Sequence, residues 1–140
     1  YHMNMGNNMF SGCGPQPIPA NALEADLHPD DREFAKERKA ALRVVAQASL
    51  LCHRVQERLV STETMEKKDQ SPVTVADFAS QAYIISELIK EFPDYPFIAE
   101  EDSNDLKDNK ELLNKVLESV RTVKSTMDEE SLLVSIDKVL

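Results

Sequence analysis

Glycine is nearly missing from this 140-residue chain, and its only three, Gly6, Gly12 and Gly14, fall within the first fourteen positions. Everything after Gly14 therefore lacks the glycine turns of phosphate-cradling P-loops and dinucleotide fingerprints, and both are excluded. Tryptophan is absent and cysteine is scarce. Cys13 and Cys52 stand far apart without a CxxC or His-Cys array, so zinc and disulfide frameworks are not expected. That usage fits a reducing, intracellular compartment, the cytoplasm first and an organelle second. No apolar run approaches the roughly 20 residues that span a bilayer, and no secretory core is present. Basic residues are also short, with 16 Lys and Arg against 25 Asp and Glu and a net charge of −9. That balance argues against a nucleic-acid polymer or an anionic membrane as partner, because such binders concentrate Lys and Arg on one surface. An acidic chain suits cations instead.

What is present describes one soluble globular domain at most, with 41% hydrophobic and 29% charged residues. Residues 1–29 are expected to be a flexible leader, since Tyr1 to Asn21 holds no Asp, Glu, Lys or Arg. Without arginine it reads poorly as an organelle transit peptide. The domain then runs from 30 to 140. His28-Pro29-Asp30-Asp31 resembles a helix entry, and Phe34, Ala41, Leu42, Val45, Ala48, Cys52, Val55 and Leu59 recur at helical steps. One long amphipathic helix is expected, from about Asp30 to Leu59. Pro72 biases Ser71 away from helix, so an extended turn should lead into Val73-Thr74-Val75. Thr74 can then cap a second helix with Asp77 in the capping-box position, Ala79, Ala82, Tyr83, Ile85, Leu88 and Ile89 as its buried face, and Phe92-Pro93 as its stop. Tyr95 to Ala99 reads as a short buried strand ending at Glu100. After an acidic turn from Asp102 to Asp108, two further helices are expected: one on Leu112, Leu113, Val116, Leu117 and Val120, the other on Leu132, Leu133, Ile136 and Val139. Helix, turn, helix, strand and helices point to α/β or α+β, yet one strand cannot make a sheet, so its partners must come from elsewhere.

The carboxylates carry the chemistry. An aspartate inside a helix start is more often a cap than a catalyst, and Glu100-Glu101-Asp102 taken alone is a solvated turn. Context raises them, because an apolar Phe97-Ile98-Ala99 strand would deliver Glu100 to a strand end, where open α/β sheets place ligands. Hard oxygen donors there suit Mg²⁺, which takes one or two protein carboxylates plus water and substrate phosphate. A calcium loop starting at Asp102 fails, with Lys107 at the required Gly position and Leu113 at the bidentate Glu position. His53 has no nucleophile signature around it and reads as a helix-surface or half-buried histidine. The acidic stretch from Glu100 to Leu140, with 11 acids and 6 bases, is otherwise largely helix surface.

Lys67 to Gln81, with Ser71-Pro72-Val73-Thr74-Val75-Ala76-Asp77 at its centre, together with Phe97-Ile98-Ala99-Glu100-Glu101-Asp102-Ser103, closely resembles the amino-terminal part of 3'(2'),5'-bisphosphate nucleotidases in the inositol monophosphatase superfamily. The resemblance implies a layered α/β sugar-phosphatase fold, of which this chain would be the amino-terminal part. It further implies Mg²⁺-dependent removal of the 3'-phosphate of adenosine 3',5'-bisphosphate, a small-molecule nucleotide, to give AMP and phosphate. Glu100 matches a Glu that ligates Mg²⁺, and Asp77 an Asp that orients or deprotonates the attacking water. Thr74 and Glu101 would stand behind them. A later Asp-Pro-Ile-Asp-Gly-Thr segment of the family is absent, since Asp137 is not followed by Gly-Thr. The chain alone is therefore expected to be inactive, because such parts act as a unit. An inositol phosphate phosphatase of the same superfamily is the nearest alternative, and a non-enzymatic helical interaction module is the alternative from a different class.

Overall fold

A computed structural model describes residues 33–61 and 72–137 of the chain. Five helices lie among them: α1 (Ala35–Ser61), α2 (Pro72–Glu91), α3 (Asn104–Asp108), α4 (Lys110–Arg121) and α5 (Glu129–Asp137). The expected leader, the helix entry at Asp30-Asp31, the turn up to Ser71, and Val139 lie outside the described residues.

α2 is the central element and packs against α1, α4 and α5, while α3 rests on α4. The reason is written in its composition. Val75, Phe78, Ala79, Ala82, Tyr83 and Ile85 are all buried, so apolar side chains cover more than one side of this helix. From α4 come Leu112, Leu113, Val116, Leu117 and Val120, and from α5 Leu132 and Ile136. Met127, in the turn between them, is also buried. Each fully buried side chain of this size contributes about 1.5–3 kcal/mol relative to leaving it in water.

Three expectations need correcting. The first concerns α1, whose buried stripe is Ala40, Val44, Ala48, Leu51 and Val55, whereas Leu42 and Val45 stay exposed. α1 carries apolar residues around much of its circumference, and α2 selects one stripe of them. Secondly, α2 begins at Pro72, so Thr74 is its third residue and not its cap, and Asp77 lies in its second turn. Proline fits the first helical position because its fixed φ is helical and the N–H it lacks would have no partner there.

The third correction bears on fold class. No strand occurs among the described residues, and Tyr95 to Ala99 forms an irregular connection in which Ile98 is 88% exposed. A strand exists only through hydrogen bonds to a neighbouring strand, and the described residues offer none. The layered α/β architecture is thus not seen in these residues, which are helical apart from their connections. Within the acidic turn, Asn104–Asp108 winds into α3 because Leu106 is drawn fully into the core.

Candidate functional site

Asp77 projects from the second turn of α2 and is exposed, as is Glu100, while Glu101 is half-buried. All three line one cleft of about 330 Å³, together with Ser80, Gln81, Ile84, Ile85, Ile98 and Ala99. The helix supplies one wall and the 98–101 segment the other. The convergence that the sequence pattern led us to expect between Asp77 and the Glu100-Glu101 pair is therefore present, although a loop and not a strand delivers the glutamates. Thr74 sits one turn before Asp77 on the same helix and does not line the cleft.

Like charge gathers in this group. Burial pushes the Glu101 carboxyl above the ordinary glutamate range, and the negative charge of Asp77, then that of Glu100, Asp105 and Asp102, pushes it further. Removal from water and like-charged neighbours both disfavour ionisation, so the cleft has an excess of negative charge that a cation would relieve. Cys52 on α1 also feels Asp77: its thiol is raised by burial first and by Asp77 second.

The loop is held by its backbone. Gln81 Nε2 donates to the Glu101 carbonyl at 2.7 Å, and the Glu101 N–H donates to Gln81 Oε1 at 3.0 Å. On the far side, Asp137 at the end of α5 accepts from the Ser103 N–H at 3.1 Å, from its hydroxyl at 2.7 Å and from Lys107 Nζ at 3.0 Å. Ser103 is wholly buried. Neither anchor was assigned a role by sequence reasoning. Gln81 stood inside the recognised motif, but the Ser103–Asp137 tie joins residues 34 apart with no local signal.

Donor chemistry decides which cation fits. Among the described residues no three His, Cys, Asp or Glu side chains gather closely enough to cage a metal ion. Mg²⁺ does not require such a cage, since it keeps several waters and takes one or two carboxylates, and oxygen-only donors match it. His53 stays apart, half-buried on α1 with Nε2 3.4 Å from Glu57 one turn on, as expected for a surface histidine. It shares with Val45, Cys52 and Ile84 a second, shallow groove. No described helix is long and apolar enough to cross a membrane.

Over 60–74% of its length the chain is similar in sequence to proteins named 3'(2'),5'-bisphosphate nucleotidases. It is 47% identical over 85 residues to the 3'(2'),5'-bisphosphate nucleotidase of Dictyostelium discoideum, a match covering 60% of this chain and 26% of that protein. With 3'(2'),5'-bisphosphate nucleotidase 1 of Arabidopsis thaliana it shares 37% identity over 116 residues, or 74% of this chain and 33% of the relative. The Schizosaccharomyces pombe 3'(2'),5'-bisphosphate nucleotidase is 37% identical over 92 residues, covering 63% and 26%. No family model matches the chain. The chain spans about a quarter to a third of the length of the curated relatives it matches.

Proposed function

We propose that this chain supplies one wall of a Mg²⁺-dependent phosphatase site that removes the 3'-phosphate of adenosine 3',5'-bisphosphate, leaving AMP and phosphate. The observation that carries the reading is the one cleft lined by Asp77, Glu100 and Glu101, the carboxylates of the two motifs on which the resemblance to the nucleotidases rests. In this reading Glu100 holds the cation and Asp77 orients the attacking water and accepts its proton. Glu101 adds negative charge beside them, and Thr74 supports the helix turn that carries Asp77. Bound there, Mg²⁺ supplies Lewis acidity toward the phosphoryl oxygens and lowers the pKa of its water. An inositol-monophosphatase-like layered fold for the whole assembly and an intracellular setting accompany the proposal.

The described carboxylates are too few to enclose a cation by themselves, so in this reading the 140-residue chain alone should release no phosphate. Mn²⁺ serves as a paramagnetic stand-in for Mg²⁺ in a binding titration. Glu100→Gln, which removes the charge of the assigned ligand, should weaken Mn²⁺ by at least about tenfold, the low end of what loss of even an outer partner of a ligand costs. Asp77→Asn, which removes a neighbouring charge but not the assigned ligand, should weaken it less. Equal affinity in the parent and Glu100→Gln would remove the basis for the assignment. Phosphate release from adenosine 3',5'-bisphosphate by the chain alone, lost in Asp77→Asn, would overturn the inactivity. Faster release from inositol monophosphate than from the bisphosphate would favour the inositol phosphatase reading.

A further inference from the structure

We infer that Gln81 is a positioning residue that sets the distance between Asp77 and the Glu100-Glu101 pair. The inference deepens the proposed function and rests on it for the identity of the site. Its ground is geometric. Gln81 lies four residues after Asp77 on α2, so the two side chains are neighbours on one helix face with Cβ atoms about 5–6 Å apart. Its carboxamide makes two complementary bonds to a single residue, Glu101, accepting from the N–H at 3.0 Å and donating to the C=O at 2.7 Å.

This is the pair of bonds that two opposed residues exchange across an antiparallel β-ladder, with one partner here replaced by a side-chain amide. The 96–101 segment has no strand beside it among the described residues, so a glutamine stands in for the missing neighbour. Because the two bonds run in opposite senses, they fix both the height and the facing of the Glu101 peptide relative to the helix. Glu100 is covalently next to that peptide and Asp77 is one turn away from the clamp. Gln81 thus couples the loop carboxylates to the helix carboxylate through its bonds to the Glu101 backbone.

Gln81→Met keeps the size and helix preference of the side chain and removes both hydrogen bonds. Circular dichroism should show unchanged helix content. In ¹⁵N-labelled parent chain, Mn²⁺ should broaden the amides of Asp77 to Gln81 and those of Glu100 to Asp102 together. In Gln81→Met the affinity should fall about tenfold, with the two groups broadening at different Mn²⁺ concentrations. A merely structural glutamine would not separate them. Parent-like affinity and joint broadening in Gln81→Met would overturn the inference. Should the parent itself take up no Mn²⁺, the proposed function fails, and the role of Gln81 is decided without metal by exchange of the Glu101 amide. At least tenfold faster exchange in Gln81→Met upholds the clamp, and equal exchange overturns it.

Discussion

Replacing Asp137 tests whether α5 and the acidic loop are held together by one carboxylate. Its partners are unequal. Ser103 is wholly buried and gives both its N–H and its hydroxyl to Asp137, whereas Lys107 is exposed. Asp137→Ala leaves two donors of a buried residue without their acceptor, at about 1–3 kcal/mol for a buried group left unsatisfied. The Asp137 side chain is itself 44% exposed, so water can follow into the vacated space and reach part of that deficit. A net loss of about 2–3 kcal/mol is expected. Asp137→Asn retains one acceptor oxygen and should lose about 1 kcal/mol, while Lys107→Ala should lose less than about 0.5 kcal/mol as an exposed ion pair. Urea unfolding followed by circular dichroism measures all three at constant slope. The pH dependence has a fixed sign: the Ser103 hydroxyl bond, then Lys107 and the Ser103 N–H, hold the Asp137 carboxyl below its ordinary range against a raising effect of burial. Its contribution is therefore complete above the unfolded aspartate value, about 3.9, and disappears as pH falls through the lower folded value. Asp137→Ala within about 0.5 kcal/mol of the parent would refute the account, because such a cost is that of an ordinary surface residue.

Other outcomes follow from the same geometry. Asp77→Asn removes the chief charge acting on Glu101, so the Glu101 titration followed by carboxyl ¹³C shifts should move down toward the ordinary value; an unmoved midpoint would separate the two groups. A raised carboxyl costs stability as pH climbs from about 4.3 through its folded value, so the metal-free variant should be more stable than the parent at neutral pH and equal to it in acid. Leu51→Ala, at a fully buried position of α1, should cost about 2–5 kcal/mol in urea unfolding. Ile98→Ser should change stability by less than about 0.5 kcal/mol, since the side chain is 88% exposed. A loss of 2 kcal/mol or more there would restore the buried strand that the sequence pattern predicts.

Legibility varied with how local the deciding physics was. α4 was read correctly because Leu112, Leu113, Val116, Leu117 and Val120 form one narrow stripe, and all five are buried. α1 offered two stripes of similar apolarity. Which one faces inward depends on α2, and sequence periodicity alone took Leu42 and Val45, which the structure leaves exposed. At the start of α2, Thr74 and Asp77 imitate a capping box, yet the proline two residues earlier had already set the helical φ. Phe97-Ile98-Ala99 has the composition of a strand, but strand identity resides in a partner's peptide groups, which no property of the three residues can supply. The meeting of Asp77 with Glu100 and Glu101 in one cleft was legible for the opposite reason, since it follows from the order of two motifs whichever backbone delivers them. Gln81 shows the join between these cases. Its type and position were in plain view, but its role arises only because the loop it faces lacks a strand to pair with. A complete sheet bonding residues 96–101 would satisfy the Glu101 peptide from that side and leave the glutamine dispensable, so dependence on Gln81 reports directly on whether this segment stands without a strand neighbour.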